Sequence, residues 1–183
     1  MTMPKATSDA DEPVDPEPPA GPGALALYLL RHADAGDAMA WTADDAERPL
    51  SKKGRRQAKR LARLLNDLDV ELDSILTSPK LRASATAKIV GRGVNRKPVV
   101  DERLTIEFGT EVLTALVAAL EPGVRGVMLV GHDPDFTDAV SWLVGSSITM
   151  RKGALAVIDL ADREAGAGRG SLRWLLPPDA VAG

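Results

Sequence analysis

The chain contains no cysteine, which rules out disulfides, thiolate nucleophiles and cysteine-ligated zinc. It holds two histidines in 183 residues, so a metal centre built mainly from imidazoles is not expected. No apolar run approaches the roughly 20 residues a bilayer-spanning helix needs. The amino terminus lacks the basic start and apolar core of a secretory signal, and the expected compartment is the cytoplasm. Residues 1–23 have almost no large apolar side chains and are rich in Pro, Ala, Asp and Glu. Such a segment buries too little surface to offset its ordering entropy, so a disordered acidic leader is expected. Asp9, Asp11, Glu12, Asp15 and Glu17 against Lys5 give that leader a charge of −4, leaving the rest of a chain of net charge −3 near +1. Nothing in that balance points to nucleic acid.

What remains has the composition of a folded domain, 44% hydrophobic and 27% charged. One catalytic-size domain is expected over residues 24–178, with 179–183 as a short carboxy-terminal tail. Strand-like and helix-like segments alternate along it. Leu25–Leu30 and residues 125–130 read as buried parallel strands, 72–77 as a shorter one, and Lys97–Val100 as an edge strand because proline cannot donate to a ladder. Ser51 is placed to cap a helix running to about Asn66. Its inward face is Ala58, Leu61, Ala62, Leu64 and Leu65; its other face, Lys52, Lys53, Arg55, Arg56, Lys59, Arg60 and Arg63, is either a solvated surface or a site for an anionic partner. Ser78-Pro79 reads as the N-cap and first residue of a helix over 79–91. Helices at 110–121 and near 135–144, and two alternating runs at 154–160 and 171–176 resembling edge strands, complete the pattern. The expected architecture is an α/β protein, a three-layer α/β/α sandwich on a mainly parallel sheet.

Each histidine stands just past an apolar run: His32 after Leu25–Arg31, His132 after Val127–Gly131. Ligands of open α/β sheets bind at the carboxyl ends of the strands, so both imidazoles fall where chemistry is done. Arg31 adjoins the first histidine. Arg82 lies on the opening turns of a helix that follows a strand, able to turn back to the same crevice, where the helix N-terminus adds partial positive charge. Two imidazoles and two guanidinium groups suit a phosphate.

Arg31-His32-Ala33, Ser78-Pro79-Lys80-Leu81-Arg82-Ala83-Ser84-Ala85-Thr86-Ala87 and Gly131-His132 together resemble the signature of the histidine phosphatase superfamily, the group with the phosphoglycerate mutase-like fold. The short length and the runs Arg31–Ala35, Arg48-Pro49-Leu50-Ser51-Lys52-Lys53-Gly54 and Gly131-His132-Asp133-Pro134 are similar to its SixA-type phosphohistidine phosphatase branch. The resemblance spans roughly residues 25–178. It implies that His32 attacks phosphorus and carries the phosphoryl group, that Arg31, Arg82 and His132 hold the phosphoryl oxygens, and that no metal or cofactor is needed.

Two departures accompany it. Ala33 stands where glycine is usual, which would cost about 1 kcal/mol if a left-handed backbone were required there. The leaving-group acid of larger members has no motif match here, and Glu107 and Asp133 are the candidates. Arg48 either contributes to substrate binding or pins its loop, while Asp34 and Asp37 either order an arginine, shape substrate entry or are solvated loop acids. Trp41 and Trp142 are expected to be packing residues. A phosphorylated protein, such as a histidine phosphotransfer domain, is the expected partner, with a small phosphorylated metabolite as the alternative. A non-catalytic phosphate-binding module is the reading from another class. Neither nucleic acid nor membrane is expected as a partner, and a monomer is.

Overall fold

A computed structural model of the chain describes residues 23–105 and 107–180. The acidic leader expected before Ala24, apart from Gly23, lies outside the described residues. Six strands form one sheet in the order β3-β2-β4-β1-β5-β6. They are β1 (Leu25–Arg31), β2 (Ser74–Thr77), β3 (Val99–Val100), β4 (Gly126–Gly131), β5 (Leu155–Leu160) and β6 (Gly170–Leu176). The first four in sheet order run parallel, while β5 and β6 are antiparallel additions beyond β1.

Four helices cover the two faces: α1 (Lys52–Asp67), α2 (Leu81–Gly93), α3 (Thr110–Ala118) and α4 (Asp135–Val144). Because successive strand residues face opposite ways, the uninterrupted apolar run of β1 serves both layers. Leu25, Leu27 and Leu29 pack with Leu113 and Leu116 of α3 and Phe136, Val140 and Leu143 of α4. Ala26, Tyr28 and Leu30 pack with Ala58, Leu61 and Leu65 of α1 and Ala83, Ala87 and Val90 of α2. The structure is the three-layer sandwich expected, with a mainly parallel sheet at its centre.

Three boundaries differ from the sequence reading, each for a local reason. Ser78 is not an N-cap: its N–H donates to the Val130 carbonyl at 3.0 Å, continuing the β2–β4 ladder, and α2 starts only at Leu81 with Lys80 as the capping residue. β5 is not an edge strand. It lies between β1 and β6 and is buried on both faces, since residues 148–150 climb back along α4 to place Leu155 opposite Leu30. Helix α3 ends at Ala118, where the Ala119 N–H closes on the Ala115 carbonyl, ahead of Glu121-Pro122-Gly123. Among the described residues, no helix is long and apolar enough to cross a membrane.

Candidate active site

Strand register places the two histidines side by side. Arg31 pairs with Gly131 across β1 and β4, so the next residues of both strands leave the sheet together. The His32 N–H donates to the Gly131 carbonyl at 3.0 Å, and the two imidazole centroids lie 5.2 Å apart at a tilt of 56°. Gly131 enables this. A Cβ there would stand 2.6 Å from the Phe136 ring, so only glycine lets the first turn of α4 pack beneath His132.

The hydrogen bonds of His32 fix its tautomer. Its Nδ1 lies 2.8 Å from the Ala33 carbonyl, which can only accept, so the proton sits on Nδ1. The Nε2 lone pair then faces the Arg82 Nε–H, which donates to it at 3.3 Å. Burial lowers the His32 pKa to about 4; the hydrogen bond to the Ala33 carbonyl pulls against it, and the charges of Arg82, Arg31 and Lys152 add to the lowering. The ring is therefore neutral at physiological pH, with an unprotonated Nε2. Ala33, the departure from glycine, is buried outside the left-handed region, and its N–H donates to Thr86 Oγ1 at 3.1 Å. The alanine is accommodated without backbone strain.

His132 is held through Nε2, 2.8 Å from Ser78 Oγ. Burial, then the proximity of His32 and the charge of Arg82, lower its pKa to about 3. Its Nδ1 is buried without a hydrogen-bond partner, and so is Nε of Arg31. These are the two unpartnered buried side-chain polar atoms among the described residues, and both belong to the expected phosphate cradle. Buried polar groups are costly when unpaired, so two such atoms at one site point to a ligand that pairs them. Arg31 otherwise donates from Nη1 to the Met150 carbonyl at 2.5 Å and pairs with Asp133 at 3.2 Å.

Arg82 is gripped from its far end by a residue with no sequence signal. The Asp45 carbonyl accepts from Nη1 at 2.6 Å and the Asp45 carboxylate from Nη2 at 2.9 Å, which leaves the Nε edge turned toward His32. The same carboxylate accepts from Arg48 Nε at 2.9 Å and lies 3.9 Å from Lys80 Nζ. Desolvation works to raise its pKa, but the hydrogen bond from Arg48 and the charge of Arg82 outweigh it, and the net shift is downward. Asp45 is thus a fixed anion behind the guanidinium, while Arg82 itself is buried.

The remaining candidates separate by geometry. Arg48 is buried and also donates from Nη1 to the Ala35 carbonyl at 3.0 Å, so it ties the loop after His32 to Asp45. Asp133 is engaged by Arg31 and by the Thr137 hydroxyl. Glu107 is not brought to the cluster; it is exposed on a left-handed turn, φ 76°, and makes no hydrogen bond or ion pair with the histidines or arginines. Asp34 orders neither arginine. Its carboxylate accepts from the Ser51 hydroxyl and the Gly36 N–H, joining the loop to the start of α1. Trp142 packs against the core on the α3/α4 side, and the half-buried Trp41 donates its indole N–H to the Asp44 carbonyl at 2.9 Å. Sequence reasoning missed Asp45 and the hydroxyl role of Ser78. Only the place of Ser78 at a strand end abreast of His132 could have signalled the latter.

A phosphoglycerate mutase-like sandwich with paired imidazoles and guanidinium groups at its strand ends defines a class of phosphoryl-handling enzymes. The family model "Histidine phosphatase superfamily (branch 1)" matches residues 27–114, and the chain belongs to that family. It is 29% identical over 159 residues to the phosphohistidine phosphatase SixA of Escherichia coli, covering 84% of this chain and 94% of that protein. It is 35% identical over 114 residues to an uncharacterized protein of Picosynechococcus, covering 61% of this chain and 68% of that one. A solved structure of the protein histidine phosphatase SixA complexed with tungstate superposes with a TM-score of 0.73 at 28% identity, covering 85% of this chain and 98% of that one. These likenesses support phosphatase activity.

Proposed function

We propose that this chain is a phosphohistidine phosphatase acting on a phosphorylated protein, with His32 as the covalent carrier of the phosphoryl group and no metal in the reaction. The observation that carries the reading is the state of His32: Nδ1 bonded to the Ala33 carbonyl, Nε2 unprotonated and met by Arg82. A neutral imidazole is a competent nucleophile toward phosphorus. In the first step Nε2 attacks in line, the P–Nε2 bond forms, and the bond from phosphorus to the substrate imidazole breaks. The departing nitrogen takes its proton from water at the mouth of the site. In the second step water attacks phosphorus and the P–Nε2 bond breaks, releasing inorganic phosphate and returning neutral His32.

Charge on the phosphoryl oxygens falls to Arg82, Arg31 and the free Nδ1 of His132, groups already fixed by Asp45, Asp133 and Ser78. Donors fixed in advance need little rearrangement as charge develops. The likeness to SixA in sequence and structure supports the substrate class. So do the places of the two candidate acids, Glu107 exposed away from the histidines and Asp133 engaged by Arg31 and the Thr137 hydroxyl, because a phosphorylated imidazole leaves with less protonic assistance than an alkoxide.

A substrate panel of a phosphohistidine peptide, phosphoramidate, p-nitrophenyl phosphate and sugar phosphates, run with and without EDTA, tests the reading. The expected ranking puts phosphohistidine first, with turnover unchanged by the chelator. Preference for a sugar phosphate, or loss of activity in EDTA, would overturn it.

A further inference from the structure

Helix α1 carries a charge pattern that the catalytic site does not use. Lys52, Lys53, Arg55, Arg56, Lys59 and Arg63 are exposed, and among the described residues none of them forms an ion pair. The acid of this helix is Asp67, its last residue. Like charges spaced three and four residues apart repel one another, so the face lowers the stability of the isolated helix. The apolar side holds α1 in place against α2 and the sheet, and no described acid neutralises the cationic side.

This face also continues into the site. The first turn of α1 is pressed against the loop after the nucleophile: a Cβ on Gly54 would stand 2.0 Å from the Asp34 carbonyl oxygen. Lys53 and Lys152 both act on the Asp34 carboxylate, and Lys152 acts on His32 as well. Positive potential therefore runs from the mouth of the site along α1. The same rim exposes two large apolar side chains, Met39 (91% exposed) on the loop between His32 and Arg48, and Leu81 (42% exposed) next to Arg82. Exposed Met and Leu beside a cationic face suit a folded protein partner, whose interface has an apolar centre and a polar rim. A single-stranded nucleic acid would call for stacking side chains, and the described residues of α1 include no aromatic.

We propose that the exposed face of α1, together with the Met39 loop, is the docking surface for an acidic face of the phosphorylated protein substrate, next to its phosphohistidine. The assignment rests on the phosphohistidine reading above. Charge complementarity selects the occupant: an acidic surface neutralises the face, is drawn toward it at low salt, and arrives with its phosphoryl group directed at His32.

Two synthetic peptides, each bearing one histidine phosphorylated with phosphoramidate, test the surface. One has six Glu residues along its flanks and the other has Gln at the same positions. Flanks of about seven residues span about 23 Å when extended, enough to follow α1 from the site. With several exposed pairs formed at once, the acidic peptide is expected to show a KM about tenfold lower at low salt, and the advantage to shrink as salt rises. The charge-reversed variant R56E/K59E/R63E, outside the catalytic machinery, is expected to lose that advantage while its turnover of free phosphoramidate stays at the wild-type level. Equal KM values for the two peptides, or an advantage that survives the triple substitution, would overturn the docking surface alone. So would binding to duplex DNA or phosphatidylserine vesicles that the variant loses, with no discrimination between peptides. Hydrolysis of neither peptide, with p-nitrophenyl phosphate still turned over, would overturn the phosphohistidine reading and the surface with it.

Discussion

At the scale of single residues, the site is a set of side chains each fixed by a second group. His32 is set by the Ala33 carbonyl, Arg82 by Asp45, His132 by Ser78 and Arg31 by Asp133. Asp45→Asn removes the charge behind Arg82 but keeps its backbone carbonyl contact, and kcat/KM is expected to fall about tenfold to a hundredfold. Steady-state kinetics on phosphoramidate checks this, and an unchanged kcat/KM would show that Asp45 does not position Arg82. Ser78→Ala frees Nε2 of His132; a loss of about tenfold in kcat is expected, with the smaller effect in KM. The convergence of the four candidate residues was legible because each closes or follows an apolar strand or opens a helix, and those positions have a meaning in any α/β sheet. Asp45 was not, because a carboxylate in a loop carries no periodicity. Its role exists only once Arg82 folds back over a distance of 37 residues.

At the scale of elements, close backbone approaches hold the site together. The Cβ of a Gly131→Ala variant would meet the buried ring of Phe136 at 2.6 Å. Overpacking of this kind is expected to cost about 1–3 kcal/mol and to shift His132. Thermal denaturation with kinetics on the same sample checks both, and a wild-type melting temperature would contradict the packing account. Ser51 was read correctly as the cap of α1, since its hydroxyl accepts from the Gly54 N–H at 3.0 Å. Ser78 looked equally cap-like and was not one, because the sheet claimed its backbone first. Local capping chemistry is the same in both cases; only the ladder distinguishes them. The interior place of β5 was likewise illegible, as alternation cannot say which strands lie on either side.

At the scale of the whole molecule, two buried neutral histidines make stability depend on pH. Their folded pKa values, about 4 and about 3, lie below the ordinary 6.5, so between these limits the unfolded chain binds more protons than the folded one. Stability is therefore complete above pH 6.5 and falls as pH drops toward 4, by up to about 1.4 kcal/mol per pH unit for each histidine. Urea midpoints at pH 7 and pH 5 are expected to show this loss, and His132→Gln to halve it. Equal midpoints would mean that the rings are not buried neutral. The layer architecture itself was legible from the alternation of strands and helices, because β1 has to be apolar on both faces to sit between two helical layers.

The central claim is that Nε2 of His32 carries the phosphoryl group. It is tested most directly by rapid-quench trapping with phosphoramidate under alkaline conditions, followed by phosphorus-31 NMR and peptide mapping. The account predicts an acid-labile phosphate on Nε2 of His32, absent in His32→Ala. Phosphate on His132, phosphate on Nδ1 of His32, or turnover with no phosphoenzyme at all would contradict it.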